Sequence, residues 1–250
     1  MYNSKKLIKE SKWDSNIFNR KVGVINLEKY LTRTEINELK KEISSYDLVV
    51  VKDFTDDFKN SEIISNDLNG YIVDLNVQFF KKVFTNNKEF ITTINEKTLL
   101  SSKDKSKVIA IASNAFKHSR FYNDHNIEKD IADKIFENWM KDSFENEKKR
   151  IIVHKSGEEV LGFLLLTIDD CLEEIIIELI AVDSNVTAKG IGKELMTDFE
   201  YSFSSEQYKK YFFRVGTQVN NITAMNFYIR NDYKIQRESR TYHIWNNKNF

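Results

Sequence analysis

Residues 178–196 read ELIAVDSNVTAKGIGKELM: an apolar strand, a polar loop, Gly190-Ile191-Gly192, and a run at helical spacing. A loop of this kind leaves successive backbone N–H groups pointing at the space before the helix. Together with the helix dipole they make an anion site. Gly190 and Gly192 remove the side chains that would block a pyrophosphate, and Lys189 and Lys193 bring charge towards it. The stretch lacks the spaced Gly-Lys-Ser/Thr ending of a Walker loop, and it lacks the third glycine of a dinucleotide fingerprint. Taken alone, it fits either a phosphate cradle or a plain strand-to-helix turn.

The flanking segments give the setting. Upstream, Val108 to Ser113 reads as a short strand. Ile127 to Phe144 reads as a helix, with Ile127, Ile131, Ile135, Trp139 and Met140 on one stripe and Asn126 as its cap. Ile151 to His154 and Val160 to Ile168 read as strands around the turn Ser156-Gly157-Glu158. Glu174 to Val182 is apolar almost throughout, as in a strand buried on both faces. Downstream come a helix from Gly190 to Phe203, a strand at Tyr211 to Val215, a helix at Ile222 to Arg230, and one or two strands over Tyr233 to Trp245. In the first half, Val22 to Leu27 and Asp47 to Val51 read as strands and Gly70 to Phe84 as strand-rich. Thr32 to Ile43 reads as a helix opened by the capping box Thr32 to Glu35. The expected fold class is α/β (α+β), with a smaller lobe over 1–104 and a main domain over 105–250. The charged stretch Lys103 to Lys107 is the expected boundary.

Composition narrows the function. Of the 250 residues, 38 are basic and 38 acidic, so the formal net charge is zero and no basic excess marks a nucleic-acid binder. The single cysteine, Cys171, permits no internal disulfide. Met1 to Trp13 carries lysines and no apolar core, unlike a secretory signal, and no apolar run nears the roughly 20 residues of a membrane span. A cytoplasmic location without membrane or nucleic-acid partners is the expectation. The histidines stand at 118, 125, 154 and 243 with no paired cysteines, so no metal is expected.

Two segments bring a family into view. Thr187-Ala188-Lys189-Gly190-Ile191-Gly192 falls where the GNAT superfamily of N-acetyltransferases carries Arg/Gln-x-x-Gly-x-Gly/Ala, and Asn221 to Tyr228 with Asn231-Asp232-Tyr233 looks like its Asn-x-x-Ala-x-x-Phe/Leu-Tyr-x-x-x-Gly-Phe. The resemblance spans roughly residues 105–250. It departs at Thr187, Ala188 and Asp232. It implies a mixed sheet with splayed strands around Ile180 and Val182, and backbone amides from Thr187 to Lys193 on the pyrophosphate of acetyl-CoA or another short acyl-CoA. Asn221 would lie by the pantetheine, the Ile180 N–H by the acyl oxygen, and Tyr228 would protonate the leaving thiolate. A tyrosine suits that task, its pKa of about 10 lying above a thiol's near 8.5. Glu178, acting through water, is the candidate base, with His118 and His243 as rivals.

Further segments extend the likeness. Trp13-Asp14-Ser15-Asn16-Ile17-Phe18 and Lys117-His118-Ser119-Arg120-Phe121-Tyr122 resemble runs in the TDP-fucosamine N-acetyltransferase group, and Gly70 to Leu75 resembles its Gly-Phe-x-x-Val-Asp strand. That likeness implies direct transfer, in a ternary complex, to the amino group of a dTDP-linked 3- or 4-amino-dideoxyhexose used for surface polysaccharide. The acyl group would be acetyl or a larger one such as hydroxybutyryl. Trp13, His118, Arg120, Phe121 and Tyr122 would hold the acceptor, since an arginine pairs with pyrophosphate and aromatics stack on thymine or sugar. Another small amine, a protein N-terminus, or acyl-CoA binding without catalysis are the alternatives. A homodimer sealed along Arg240 to Trp245 is a further expectation.

Overall fold

A computed structural model describes residues 7–85, 100–186 and 190–246. Its first part runs β1 (Lys9–Glu10), α1 (Lys12–Phe18), β2 (Val22–Leu27), α2 (Arg33–Ile43), β3 (Leu48–Asp53), α3 (Lys59–Leu68) and β4 (Tyr71–Lys82). Then follow α4 (Ser102–Ala115), α5 (Arg120–Asn123), α6 (Lys129–Glu145), β5 (Lys149–Ser156), β6 (Glu159–Asp169) and β7 (Glu174–Val182). The chain closes with α7 (Ile191–Ser202), β8 (Phe212–Gln218), α8 (Ile222–Arg230) and β9 (Lys234–Trp245).

Local chemistry sets many of these bounds. Thr32 and Glu35 form the reciprocal capping box that opens α2. Asn221 caps α8, its Oδ1 accepting from the Ala224 N–H at 3.1 Å. The expected strand over Val108 to Ser113 is instead the middle of α4. Ser101 and Asp104 form a capping box at its start, and Val108, Ile111 and Ala112 bury one face at helical spacing. The expected boundary at Lys103 to Lys107 therefore lies within the first turns of that helix. Asn126 does not cap α6, whose cap is Glu128; its amide instead donates to the Tyr71 hydroxyl.

The nine strands among the described residues join one mixed sheet, in the order β1-β2-β3-β9-β4-β8-β7-β6-β5. The pairs β2/β3 and β7/β8 are parallel. Helices cover both faces. On one, α4, α5 and α6 bury Val108, Ile135, Met140 and Phe121 against Val50, Phe163 and Leu179. On the other, α2 and α3 pack over β2, β3 and β9, while α7 and α8 pack over β4, β6, β7 and β8. The last strand, β9, lies between β3 and β4, with Tyr242, His243, Ile244 and Trp245 buried. It has no free edge, so the expected dimer seam along Arg240 to Trp245 does not exist on this strand.

Two irregularities in β7 prepare the site. Against β6 the register moves from Leu166↔Ile177 to Leu165↔Leu179, leaving Glu178 as an extra residue. Such a bulge re-aims the strand: Ile175 and Ile177 face the α7/α8 side, whereas Leu179 and Ala181 face the α4/α6 side. Just there β8 departs. Its pairing with β7 ends at Ile177↔Val215, although β7 runs on to Val182 and β8 to Gln218.

Candidate active site

The parting of β7 and β8 opens a cleft of ≈ 1210 Å³. One wall comes from α7 and α8, through Ile191, Gly192, Phe227 and Tyr228; the opposite wall comes from α1, α5 and α6, through Trp13, Arg120, Phe121 and Trp139. The cleft thus joins the two faces of the sheet through the gap.

The donors at its edge follow from strand alternation. The Asp183 N–H donates to Leu161 O at 2.8 Å. Ala181 and Leu179 therefore also turn their N–H groups to β6, and Val182 and Ile180 turn theirs into the gap. Beyond the loop, Gly190 stands as N-cap of α7 at φ 83° with no side-chain cap. The Lys193 and Glu194 N–H groups bond back to Gly190 O, at 2.9 and 3.1 Å. Among the described residues the Ile191 and Gly192 N–H groups have no partner, and they stand at the positive end of the helix. Nothing lies within 4 Å of where a Cβ on Gly190 would stand. A helix end of this kind is an anion-binding position. Thr187, Ala188 and Lys189 lie outside the described residues.

Tyr228 lines the cleft, and its hydroxyl has no hydrogen-bond partner among the described residues. Burial pushes the phenol well above its ordinary pKa, so it stays protonated near neutrality. Glu178 also reaches the cleft, but its carboxylate is held by Lys149 and by Thr167 Oγ1, the latter at 2.5 Å. His243 is sealed in the core: Nδ1 bonds Asp124, and Nε2 faces an Arg120 N–H at 2.9 Å. Burial lowers its pKa to about 4. The ring is neutral, donating from Nδ1 and accepting at Nε2, and it touches no substrate space. His118 sits on an exposed turn outside the cleft. Where the loop after α8 departs from the glycine pattern, Asp232 itself takes the left-handed conformation, at φ 65°.

On the wall expected to hold the acceptor, Trp13 packs edge-on to Trp139 with ring centroids 5.7 Å apart. Arg120 donates to Asp14 Oδ1 at 2.8 Å and lies over the Phe121 ring at 4.2 Å. Phe121 belongs mainly to the core. Tyr122 turns away; its hydroxyl donates to Asp133 at 2.8 Å on the outer surface, beside Lys117. The expected set is thus gathered in one place apart from His118, Tyr122 and the three residues outside the described segments. The cleft adds residues that motif reading passed over: Lys52, Asp74, Asn76, Gln78, Gln218 and Arg237. One signal for them was present. Asp74, Asn76 and Gln78 alternate with Leu75 and Val77, a polar face on a strand in mid-chain.

The acetyltransferase (GNAT) family matches residues 114–233. The chain is 24% identical over 254 residues to "Spore coat polysaccharide biosynthesis protein SpsD" of Bacillus subtilis (strain 168), covering 97% of this chain and 84% of that protein. Its fold is similar to that of a functionally unknown conserved protein from Staphylococcus epidermidis ATCC 12228, with TM-score 0.65 and 12% identity over 98% of this chain and 94% of that one. A GCN5-related N-acetyltransferase from Sphaerobacter thermophilus is also similar, with TM-score 0.58 and 10% identity over 94% and 74% of the two chains.

Proposed function

We propose that the chain, whose residues 114–233 match the acetyltransferase (GNAT) family, is an acyl-CoA-dependent N-acyltransferase that acylates the amino group of a dTDP-linked 3- or 4-amino-dideoxyhexose. The observation that carries the proposal is the continuous cleft through the gap between β7 and β8, with an anion-binding helix end on one side and Trp13 and Arg120 on the other. A cleft open to both faces lets thioester and amine meet without a covalent acyl-enzyme. The runs at 13–18 and 117–122, and a relative named for polysaccharide biosynthesis, support a sugar acceptor.

In this reading the N–H groups of Ile191 and Gly192 hold the pyrophosphate, with Lys193 adding charge. Asn221 uses Oδ1 to cap α8 and keeps Nδ2 for the pantetheine arm. The Ile180 N–H donates to the acyl oxygen as the carbonyl becomes tetrahedral, and Val182 continues the same edge. Tyr228 gives its proton to the departing sulfur. Acetyl-CoA is the first donor to try, followed by hydroxybutyryl-CoA.

Thiol release from acetyl-CoA, measured across a panel of amines, tests the acceptor. Turnover with dTDP-4-amino-4,6-dideoxygalactose or its 3-amino isomer is expected, with little from peptides. Turnover of a peptide N-terminus but of neither sugar nucleotide would overturn the sugar reading.

A further inference from the structure

Among the described residues three carboxylates line the cleft: Asp14 is paired to Arg120 at 2.8 Å, and Glu178 is held by Lys149 and Thr167 through Oε1 alone, its buried Oε2 having no partner among those residues. The third, Asp74, forms no ion pair among the described residues. It stands on β4 beside Thr241 of β9, whose other neighbour is Lys52 of β3. On its far side, Gln218 of β8 reaches it with a side-chain hydrogen bond. Lys52, Thr241, Asp74 and Gln218 therefore form a polar row across four strands of the cleft floor, ending at the gap that Ile180 borders. Asp74 and Ile180 thus border the same cleft, with β8 and the opened gap between them.

We propose that Asp74 is the group that receives the acceptor's ammonium proton before attack. The assignment rests on the acyltransfer reading above and adds its missing base. The carboxylate takes one proton from R–NH3+, leaving the amine neutral. The nitrogen lone pair forms the C–N bond at the thioester carbonyl, and the C–S bond breaks. Sulfur leaves with the Tyr228 proton, and the phenolate is refilled by the second proton the nitrogen sheds. Asp74 returns its own proton to solvent, so the net products are amide, thiol and one proton.

The surroundings suit that duty. Lys52 from β3 and Arg120 from α5 act on Asp74; Asp14 from α1 and Arg237 from β9 line the same cleft, and neutral His243 and the Asp124 carboxylate stand behind Arg120. Burial pushes the Asp74 carboxyl up to about 6, against the Gln218 bond and the pull of Arg120 and Lys52. Desolvation of Lys52, whose own pKa is lowered, marks the same semi-dry floor. A base poised just below neutrality both accepts the proton and releases it between turnovers.

Asp74→Asn in the full chain, assayed with acetyl-CoA and dTDP-4-amino-4,6-dideoxygalactose, is the test. Wild-type kcat/KM should fall below a pH near 6. The variant should lose about 100-fold at neutral pH or more, keep its acetyl-CoA Kd, and recover as rising pH supplies free amine. A variant with unchanged rate and unchanged pH profile would overturn the assignment. If the wild type turns over neither this sugar nor its 3-amino isomer, the sugar reading fails, and the same comparison is made on the amine it does turn over. A measurement free of any acceptor stands beside it: 13C NMR titration of the Asp74 carboxyl, identified by its loss in the variant. Titration near 6 is expected, and titration near the ordinary value of about 3.9 would contradict the proposal.

Discussion

In the proposed mechanism Tyr228 is the side chain that bears most on the chemistry. Its hydroxyl is raised in pKa by burial alone, so it waits protonated beside the gap rather than bound to a neighbour. Tyr228→Phe removes a proton donor without removing a structural hydrogen bond. We expect kcat to fall by about 100-fold, the scale of general-acid catalysis, while acyl-CoA affinity is unchanged. Stopped-flow thiol release and equilibrium binding separate the two, and unchanged thiol release would exclude the acid role. The pairing of Asn221 with Tyr228 was legible because both lie on one short helix, where spacing fixes relative position. Glu178 could not be judged that way. Lys149, which neutralises it, is 29 residues distant, and Asp14, which holds Arg120, is 106 residues distant. Sequence proximity carries no information about such partners.

At the scale of elements, the gap depends on how β7 is held. A Cβ on Gly162 would stand 2.9 Å from Ala181 O and 3.0 Å from Leu195 Cδ1, so β6 and β7 can pack under α7 only with glycine there. Gly162→Ala should cost about 1–3 kcal/mol, as overpacking does. It should also weaken acyl-CoA binding, because it displaces the strand that carries the Ile180 and Val182 N–H groups. Chemical denaturation and acyl-CoA titration on the same sample check both effects. A second expectation concerns α4: Ser101→Ala should cost about 1 kcal/mol, the worth of an N-cap, read as a shift in denaturation midpoint. That helix was misread as a strand because VIAIAS is too short an apolar run for periodicity to decide. The capping pair Ser101 and Asp104 decides it. Strands and helices with stronger patterns, such as Glu174–Val182 and Ile222–Arg230, were legible to the residue.

Across the whole molecule, a buried polar chain ties α1 and α5 to the last strand: Asp14, Arg120, His243 and Asp124, with Tyr71 and Trp245 also donating to Asp124. His243 has a folded pKa of about 4, below the roughly 6.5 of an unfolded histidine. The unfolded chain therefore binds the proton first, and this residue's contribution to stability is lost as pH falls from about 6.5 towards 4. The thermal advantage of wild type over His243→Gln should narrow through that window, and calorimetry at stepped pH follows it. None of this was legible beforehand, because the insertion of β9 between β3 and β4 is a long-range pairing that no local pattern announces. The same topology places the wall proposed for the acceptor, drawn largely from the first half of the chain, against the wall proposed for acyl-CoA, drawn from the second. The account's central claim is that both substrates occupy this one cleft and react directly. Initial velocities at varied acetyl-CoA and varied amino-sugar nucleotide test it: intersecting double-reciprocal lines are predicted. Parallel lines, with an acyl-enzyme seen in the intact mass after acetyl-CoA alone, would contradict it.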